Sequence, residues 1–259
     1  DWTNPEPAPE YELVVIGAGS AGMIASTTAA RLGVKVALVE KNLMGGDCLS
    51  VGCVSSKVML RAAKTVGEIK NAKRFGVETA GTIKVDFASI MERARKIRSQ
   101  FSRYDSVQRF SKKGIDMFLG EGHFVGKHTI EVKGKRLNFK KAIIATGARP
   151  IVPPIEGLQN AGFLTNENVF NLTEVPRSML IIGGGAIGCE LAQAFARFGC
   201  KVTIVEMLER ILPTEDNETS KALSKVFTKD GIDIKVNSKI TKVDKVNGKK
   251  KTIIFSDGQ

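Results

Sequence analysis

An apolar run that ends in glycine and gives way to helical spacing occurs twice along this chain. Leu13-Val14-Val15-Ile16 leads into Gly17-Ala18-Gly19-Ser20-Ala21-Gly22. The run predicts a buried strand, and Ala25, Ala29 and Leu32 give the next segment the apolar face of a helix. Gly33 is placed to end that helix, and Val34 to Val39 reads as a second strand closing on Glu40. The second copy runs from Leu180-Ile181-Ile182 into Gly183-Gly184-Gly185-Ala186-Ile187-Gly188, then through a helix to Phe198 and a strand from Lys201 to Glu206. An offset of 166 residues superposes Gly17, Gly19 and Gly22 on Gly183, Gly185 and Gly188, Gly33 on Gly199, and Val39-Glu40 on Val205-Glu206. Such an internal repeat predicts two copies of one strand-helix-strand unit.

Between the copies the pattern changes. Two helices are expected between Lys57 and Lys113, the second with apolar positions at Phe87, Ile90, Ala94, Ile97, Phe101 and Tyr104. These alternate steps of three and four, so one stripe packs, while Arg93, Arg95, Lys96, Arg98 and Arg103 mostly face water. A short β-rich stretch holds His123 and His128, the two histidines of the chain, and a surface or core reading suits both. Pro150-Ile151-Val152-Pro153-Pro154 reads as a connector. The expected fold is α/β, with two Rossmann-like domains built on parallel sheets at residues 1–150 and 151–259. The final stretch from Thr252 to Gln259 reads as a strand and a hairpin signal without a return strand, so the second domain is expected to be incomplete.

Each glycine has an expected task. The first makes the tight turn, the second lets a pyrophosphate approach the backbone, and the third brings helix and strand together. Two dinucleotide sites follow. Glu40 and Glu206 each stand 23 residues after the first glycine of their unit, where an acid favours a free ribose 2′-hydroxyl and repels a 2′-phosphate. At the second site this favours NAD over NADP.

Directly downstream of the first unit lie Cys48 and Cys53, in Gly45-Gly46-Asp47-Cys48-Leu49-Ser50-Val51-Gly52-Cys53. On a regular helix such positions would have Cα atoms roughly 8.6 Å apart, whereas a disulfide wants less than about 6.8 Å. A bridge would need a bent backbone, which Gly52 permits, and a distorted bridge is readily reduced. Two buried free cysteines are the plain alternative. Cys189 and Cys200 are assigned to helix packing, and no metal-ligand set is expected.

Composition changes the picture in two ways. The chain has 259 residues, and no apolar run approaches the roughly 20 residues of a membrane span. The net charge is +12, and residues 151–259 hold 14 Lys/Arg against 13 Asp/Glu, so the excess sits in residues 1–150. A basic helix face can meet an anionic partner, but without a nucleic-acid motif a solvated face is the expectation. The opening Asp1 to Glu10 is polar and proline-rich and reads as a lead-in, not a signal peptide. An intracellular setting, cytoplasm or organelle matrix or stroma, is expected.

These residues resemble the class I pyridine nucleotide-disulfide oxidoreductases. The resemblance covers the first glycine unit, the run Gly-Gly-x-Cys-x-x-x-Gly-Cys, Ala145-Thr146-Gly147 and the second glycine unit. The run from Glu190 to Gly199, with Val205-Glu206-Met207 and Arg210-Ile211-Leu212-Pro213, looks closest to the mercuric-reductase-like branch. It implies an FAD domain followed by a nicotinamide domain. For FAD it implies Gly17, Gly19, Ser20, Ala21, Gly22, Glu40, Lys41, Gly46, Asp47, Lys57, Gly122, Thr146 and Gly147 as binding positions. For NAD, with NADP less favoured, it implies Gly183, Gly185, Ala186, Ile187, Gly188 and Glu206. Cys53 would be the charge-transfer thiolate against the flavin and Cys48 the interchange thiol. Lys57 would stand near the flavin N5, paired with Glu190 so that its ammonium can be buried.

The implied activity passes electrons between NAD(P)H, FAD, the Cys48/Cys53 disulfide and a thiol, disulfide or metal-ion acceptor. The alternatives are a non-catalytic flavin-binding subunit, or an NADH dehydrogenase in which flavin alone reacts. The family's C-terminal histidine and interface domain have no counterpart here, so a fragment of a homodimeric enzyme is expected. Ser50, Ser55 and Asp47 depart from the usual Asn, Pro and Thr. The charge of Asp47 should raise the pKa of the neighbouring thiol. Ala186 replaces a tyrosine gate found in some relatives and should leave the nicotinamide ring less obstructed.

Overall fold

The computed structural model describes residues 2–78, 80–246 and 250–255. Both apolar runs form parallel strands. In the first copy β1 (Tyr11–Ile16) pairs with β2 (Val36–Glu40), joined by α1 (Ser20–Arg31). All five residues of β2 are buried, as a parallel strand covered on both faces requires. A helical stretch follows, with α2 (Gly46–Ser50), α3 (Cys53–Asn71), α4 (Phe87–Ser102) and α5 (Val107–Ser111). Then come β3 (Ile115–Leu119), β4 (Gly122–Gly126), β5 (Thr129–Val132) and β6 (Lys135–Ile144). The sheet order is β3-β2-β1-β6-β5-β4. Strand β6 serves twice: Lys135 to Asn138 pair antiparallel with β5, and Phe139 to Ile144 pair parallel with β1.

After α6 (Leu158–Ala161), the second copy builds β7 (Ser178–Ile182), α7 (Ala186–Arg197) and β8 (Lys201–Val205). It continues with α8 (Asn217–Lys229) and β9 (Asp233–Lys235) in a parallel sheet ordered β7-β8-β9. An antiparallel pair, β10 (Ile240–Val246) and β11 (Lys250–Phe255), follows. The strand read at the chain's end therefore pairs back on β10, and the hairpin signal at 256–259 lies outside the described residues. The α/β class and the parallel glycine units hold, with antiparallel strands added to each. Among the described residues no helix is long and apolar enough to cross a membrane.

The chain divides into two compact units, Asp1–Ser55 with Arg95–Arg149, and Ser56–Ala94 with Pro150–Gln259. One cut falls near residue 150. Residues 56–94, expected in the first domain, group with the second because Met59, Ala63, Phe87 and Met91 share a core with Phe195, Phe198, Val202 and Ile204. The ring of Phe87 stands 5.9 Å from that of Phe195 and 5.8 Å from that of Phe198. Aromatic contacts of this kind add about 0.5–1.5 kcal/mol beyond burial.

Two helix faces differ from the expectation. In α1 the buried residues are Gly22 and Ser26 and Ala29 packs against the core as expected, while Leu32, after the helix end, is 78% exposed. That helix lies close enough to the sheet to be packed by backbone and small side chains. In α4 the buried residues are Phe87, Met91 and Ala94, whereas Phe101 and Tyr104 are exposed and Tyr104 lies beyond the last helical turn. Both histidines are exposed.

Candidate functional site

The first and third glycines of the first unit are fixed by the chain's own packing. Gly17 has φ 102° and donates its N–H to the Val39 carbonyl at 2.8 Å, and a Cβ there would meet the Ala145 carbonyl at 2.3 Å. A Cβ on Gly22 would stand 1.8 Å from the Gly17 carbonyl oxygen. The middle glycine is different. Gly19 has φ −78°, and a Cβ would meet only Gly46 Cα at an ordinary 3.7 Å. Nothing internal requires glycine at that position, and α1 starts there without a side-chain cap, with Ser20 and Ala21 exposed. Free N–H groups at a helix start, approached over a bare Cα, suit a pyrophosphate, so the residues fit FAD on this observation.

The other candidate positions converge on the same strand ends. A Cβ on Gly46 would come within 2.6 Å of Gly19 Cα, and one on Gly17 within 3.3 Å of Thr146 Cα. A Cβ on Gly147 would stand 3.7 Å from the Asp47 carboxylate. Gly122 abuts the end of β2, where a Cβ would be 3.3 Å from Val39 Cγ1, and Lys41 pairs with Glu121 at 3.6 Å. Glu40 does more than the sequence suggested. It is buried, and its two oxygens accept the Ala18 N–H at 2.6 Å and the Asn42 N–H at 2.7 Å, which ties the glycine turn to the end of β2. An ionised carboxylate has roughly four acceptor sites, so a ribose hydroxyl can still be received.

The second unit repeats this lattice at the same offset. Gly183 has φ 102° and donates to the Val205 carbonyl at 2.8 Å, and a Cβ on Gly188 would stand 2.3 Å from the Gly183 carbonyl oxygen. Gly185 has φ −72°, and a Cβ there would meet nothing within 4 Å. Buried Glu206 accepts the Gly184 N–H at 2.7 Å and the Leu208 N–H at 2.9 Å. Ala186 and Ile187 lie exposed in the first turn of α7. The bracing contacts of Ala18, Asn42, Gly184 and Leu208 were missed in the sequence, although the repeat offset alone maps one pair onto the other.

Cys48 lies on α2 and Cys53 opens α3. Both are free thiols, hydrogen-bonded to each other. The backbone between them bends as expected, with Val51 at φ −140° closing α2. The reason for Gly52 is not the one expected. Its φ lies outside the left-handed region, and the need is space: a Cβ would stand 2.8 Å from the Asp47 carbonyl oxygen and 3.4 Å from Cys48 Cα. Burial pushes the Cys48 thiol above its ordinary pKa, and Cys53 beside it adds to the rise. The Ser20 hydroxyl and the Cys53 N–H, which hydrogen-bond the sulfur, pull the other way. The rise expected from Asp47 therefore comes from burial and the partner thiol instead.

In the second unit the Lys57 ammonium meets the Glu190 carboxylate at 2.6 Å, joining α3 to α7. The pair is expected from the resemblance, but its side chains are 60% and 37% exposed, so the ammonium is not buried. Such a pair contributes about 0–1 kcal/mol to stability. Cys189 is buried on α7 and donates to the Gly184 carbonyl at 3.3 Å, and Cys200 is buried in the same unit, between α7 and β8. Burial pushes each of these thiols up to about 11, with Glu206 adding to the rise at Cys189.

Residues 11–259 match the family described as pyridine nucleotide-disulphide oxidoreductase. A dihydrolipoyl dehydrogenase from Acholeplasma laidlawii is 38% identical over 254 residues, covering 94% of this chain and 75% of that protein. A mercuric reductase from Staphylococcus aureus is 36% identical over 244 residues, covering 94% of this chain and 44% of that protein. The HOCl-induced flavoprotein disulfide reductase RclA from Escherichia coli superposes with a TM-score of 0.80 at 28% identity, covering 95% of this chain and 53% of that one. Against the last two, this chain spans about half the relative's length. With its two glycine units and its cysteine pair, the chain belongs to the pyridine nucleotide-disulphide oxidoreductase family, whose members use FAD and a pyridine nucleotide.

Proposed function

We propose that this chain supplies the FAD site, the nicotinamide site and the redox pair of a disulfide oxidoreductase acting on a thiol, disulfide or metal-ion substrate. The observation that carries this reading is the Cys48/Cys53 dithiol, hydrogen-bonded to Ser20 at the start of the glycine-cradled helix. FAD, when bound, would supply the two-electron chemistry that links a nicotinamide to the sulfur pair. The chain's own residues have separable tasks. The N–H groups of Ser20, Ala21 and Gly22 would receive the pyrophosphate over Gly19, and Glu40 would receive a ribose hydroxyl. Lys41, Gly46, Asp47, Gly122, Thr146 and Gly147 would hold the rest of FAD. Gly183, Gly185, Ala186, Ile187 and Gly188 hold the second dinucleotide, and Glu206 favours NAD over NADP. Lys57, held by Glu190, would supply positive charge to the flavin.

At the sulfurs the balance is simple. Opening the Cys48–Cys53 bridge takes two electrons and two protons and leaves two thiols. The Cys48 thiolate then attacks one sulfur of an acceptor disulfide, expelling a thiolate that takes a proton. Cys53 loses its proton, displaces the second acceptor thiolate and closes the bridge again. The reverse direction uses the same steps. Relatives named dihydrolipoyl dehydrogenase and mercuric reductase support this reading over a non-catalytic subunit or a flavin-only dehydrogenase. A homodimer in a reducing compartment, cytoplasm or organelle matrix or stroma, fits the same reading.

Anaerobic titration of the FAD-loaded full-length protein with NADH tests it. Two electron equivalents are expected to yield two new thiols, mapped to the Cys48 and Cys53 peptides, with a long-wavelength absorption band. Flavin bleaching without new thiols would overturn the reading.

A further inference from the structure

We propose that Arg98 is a positioning residue for the sulfur pair, holding the turn between Cys48 and Cys53 from the neighbouring helix α4 and so setting how readily the bridge closes. The proposal rests on the reading of that pair as a redox couple. The sequence pattern placed Arg98 among residues facing water. Instead its side chain is half-buried and its Nη1 donates to the Ser50 carbonyl at 3.0 Å, across 48 positions of sequence.

Ser50 is the last residue of α2, and the final carbonyls of a helix have no partner within it. A cation is the favoured partner at that end. The need is greatest in a helix that cannot sustain itself, and five residues is far below the length at which a helix is stable alone. Within this short helix the Val51 N–H reaches the Asp47 carbonyl at 2.9 Å, after which the chain turns through Val51 and Gly52 to Cys53. That turn is what departs from the regular spacing that would keep the two sulfurs apart. At the other end of α2 the Asp105 carboxylate, just past α4, lies 3.2 Å from where a Cβ on Gly45 would stand. The second half of α4 and the segment after it thus bracket α2 from both ends, and both belong to the unit that holds the cysteines.

Bridge formation depends on the effective concentration of one thiol at the other, so a loosened turn should favour the open dithiol. R98M removes the donor and the charge, while R98K keeps a cationic donor. The full chain is equilibrated in graded dithiothreitol redox buffers, trapped by alkylation, and the Cys48 and Cys53 peptides are quantified by mass spectrometry. This readout needs no bound cofactor. The closure constant of R98M is expected to fall about tenfold, equivalent to about 30 mV toward easier reduction, with R98K recovering at least half of that change on a logarithmic scale.

If wild-type chain forms no Cys48–Cys53 bridge in oxidising buffer, the redox reading fails and this proposal with it. If the bridge forms in wild type and R98M, folded by circular dichroism, matches it within twofold, the redox reading stands and the positioning role is overturned. Should R98M not fold, R98Q decides: a neutral, shorter donor is expected to shift closure at least threefold in the same direction, and no shift overturns the role.

Discussion

Cys48 sits where two neighbouring side chains pull its proton in opposite directions, and each can be removed singly. Burial and Cys53 favour the thiol, while the Ser20 hydroxyl favours the thiolate. In the reduced chain, S20A should therefore slow alkylation of Cys48 by iodoacetamide at pH 8, roughly two- to tenfold, the worth of one hydrogen bond. Rates followed by peptide mass spectrometry check this, and an unchanged rate would place the hydroxyl elsewhere. Cys189 and Cys200 make the opposite case, since burial holds both neutral up to about 11. In the unfolded chain they ionise near the ordinary thiol value of 9.0. Their contribution to stability is thus complete below about pH 9 and is lost as pH rises through about 11. Urea midpoints measured from pH 8 to 11 should fall less in C189A/C200A than in the parent. Position was legible at this scale, but contact was not. The sequence located Glu40 and Glu206, yet their bonds to Ala18, Asn42, Gly184 and Leu208 depend on how two loops meet.

Among the glycines of each turn, the structure separates those needed by the fold from the one that no internal contact requires. A methyl group on Gly188 would press within 2.3 Å of a backbone oxygen, whereas one on Gly185 would meet nothing. G188A should cost at least about 2 kcal/mol of stability and lower the thermal midpoint. G185A should leave stability within about 0.5 kcal/mol while weakening NADH binding about tenfold or more, measured by fluorescence quenching. If G185A bound NADH normally, the second site would lie elsewhere. The strand-glycine-helix units were readable because their constraints are local: an apolar run, a turn with φ 102° and a helix start follow one another in sequence. The faces of α1 and α4 were readable only in part: Ala29, Phe87, Ile90 and Ala94 pack inward as expected. Gly22 and Ser26 are buried through backbone proximity, which hydrophobic spacing does not register, and Phe101 and Tyr104 continue the helical spacing past the point where anything covers them.

At the scale of the whole molecule, chain order and packing order part company. The segment 56–94 follows the first glycine unit in sequence, yet its apolar residues are buried among those of the second. Sequence could not reveal this, because an amphipathic helix declares that it has a partner without saying which one. Phe87 is the residue on which the assignment turns, being 4% exposed and in ring contact with both Phe195 and Phe198. Truncation of a buried phenylalanine typically costs about 3–5 kcal/mol. Because the lost contacts lie on α7 and just after it, F87A should reduce hydrogen-exchange protection first in β7, α7 and β8, and leave β1 and β2 near the parent level. Protection lost first from β1 and β2 would mean that the segment belongs energetically with the first glycine unit, restoring the division at residue 150 that the sequence suggested. The expected pattern would instead mean that α3, which begins at the sulfur pair, is anchored by the core around the second glycine unit, so that destabilising that core loosens the helix that carries Cys53 and Lys57.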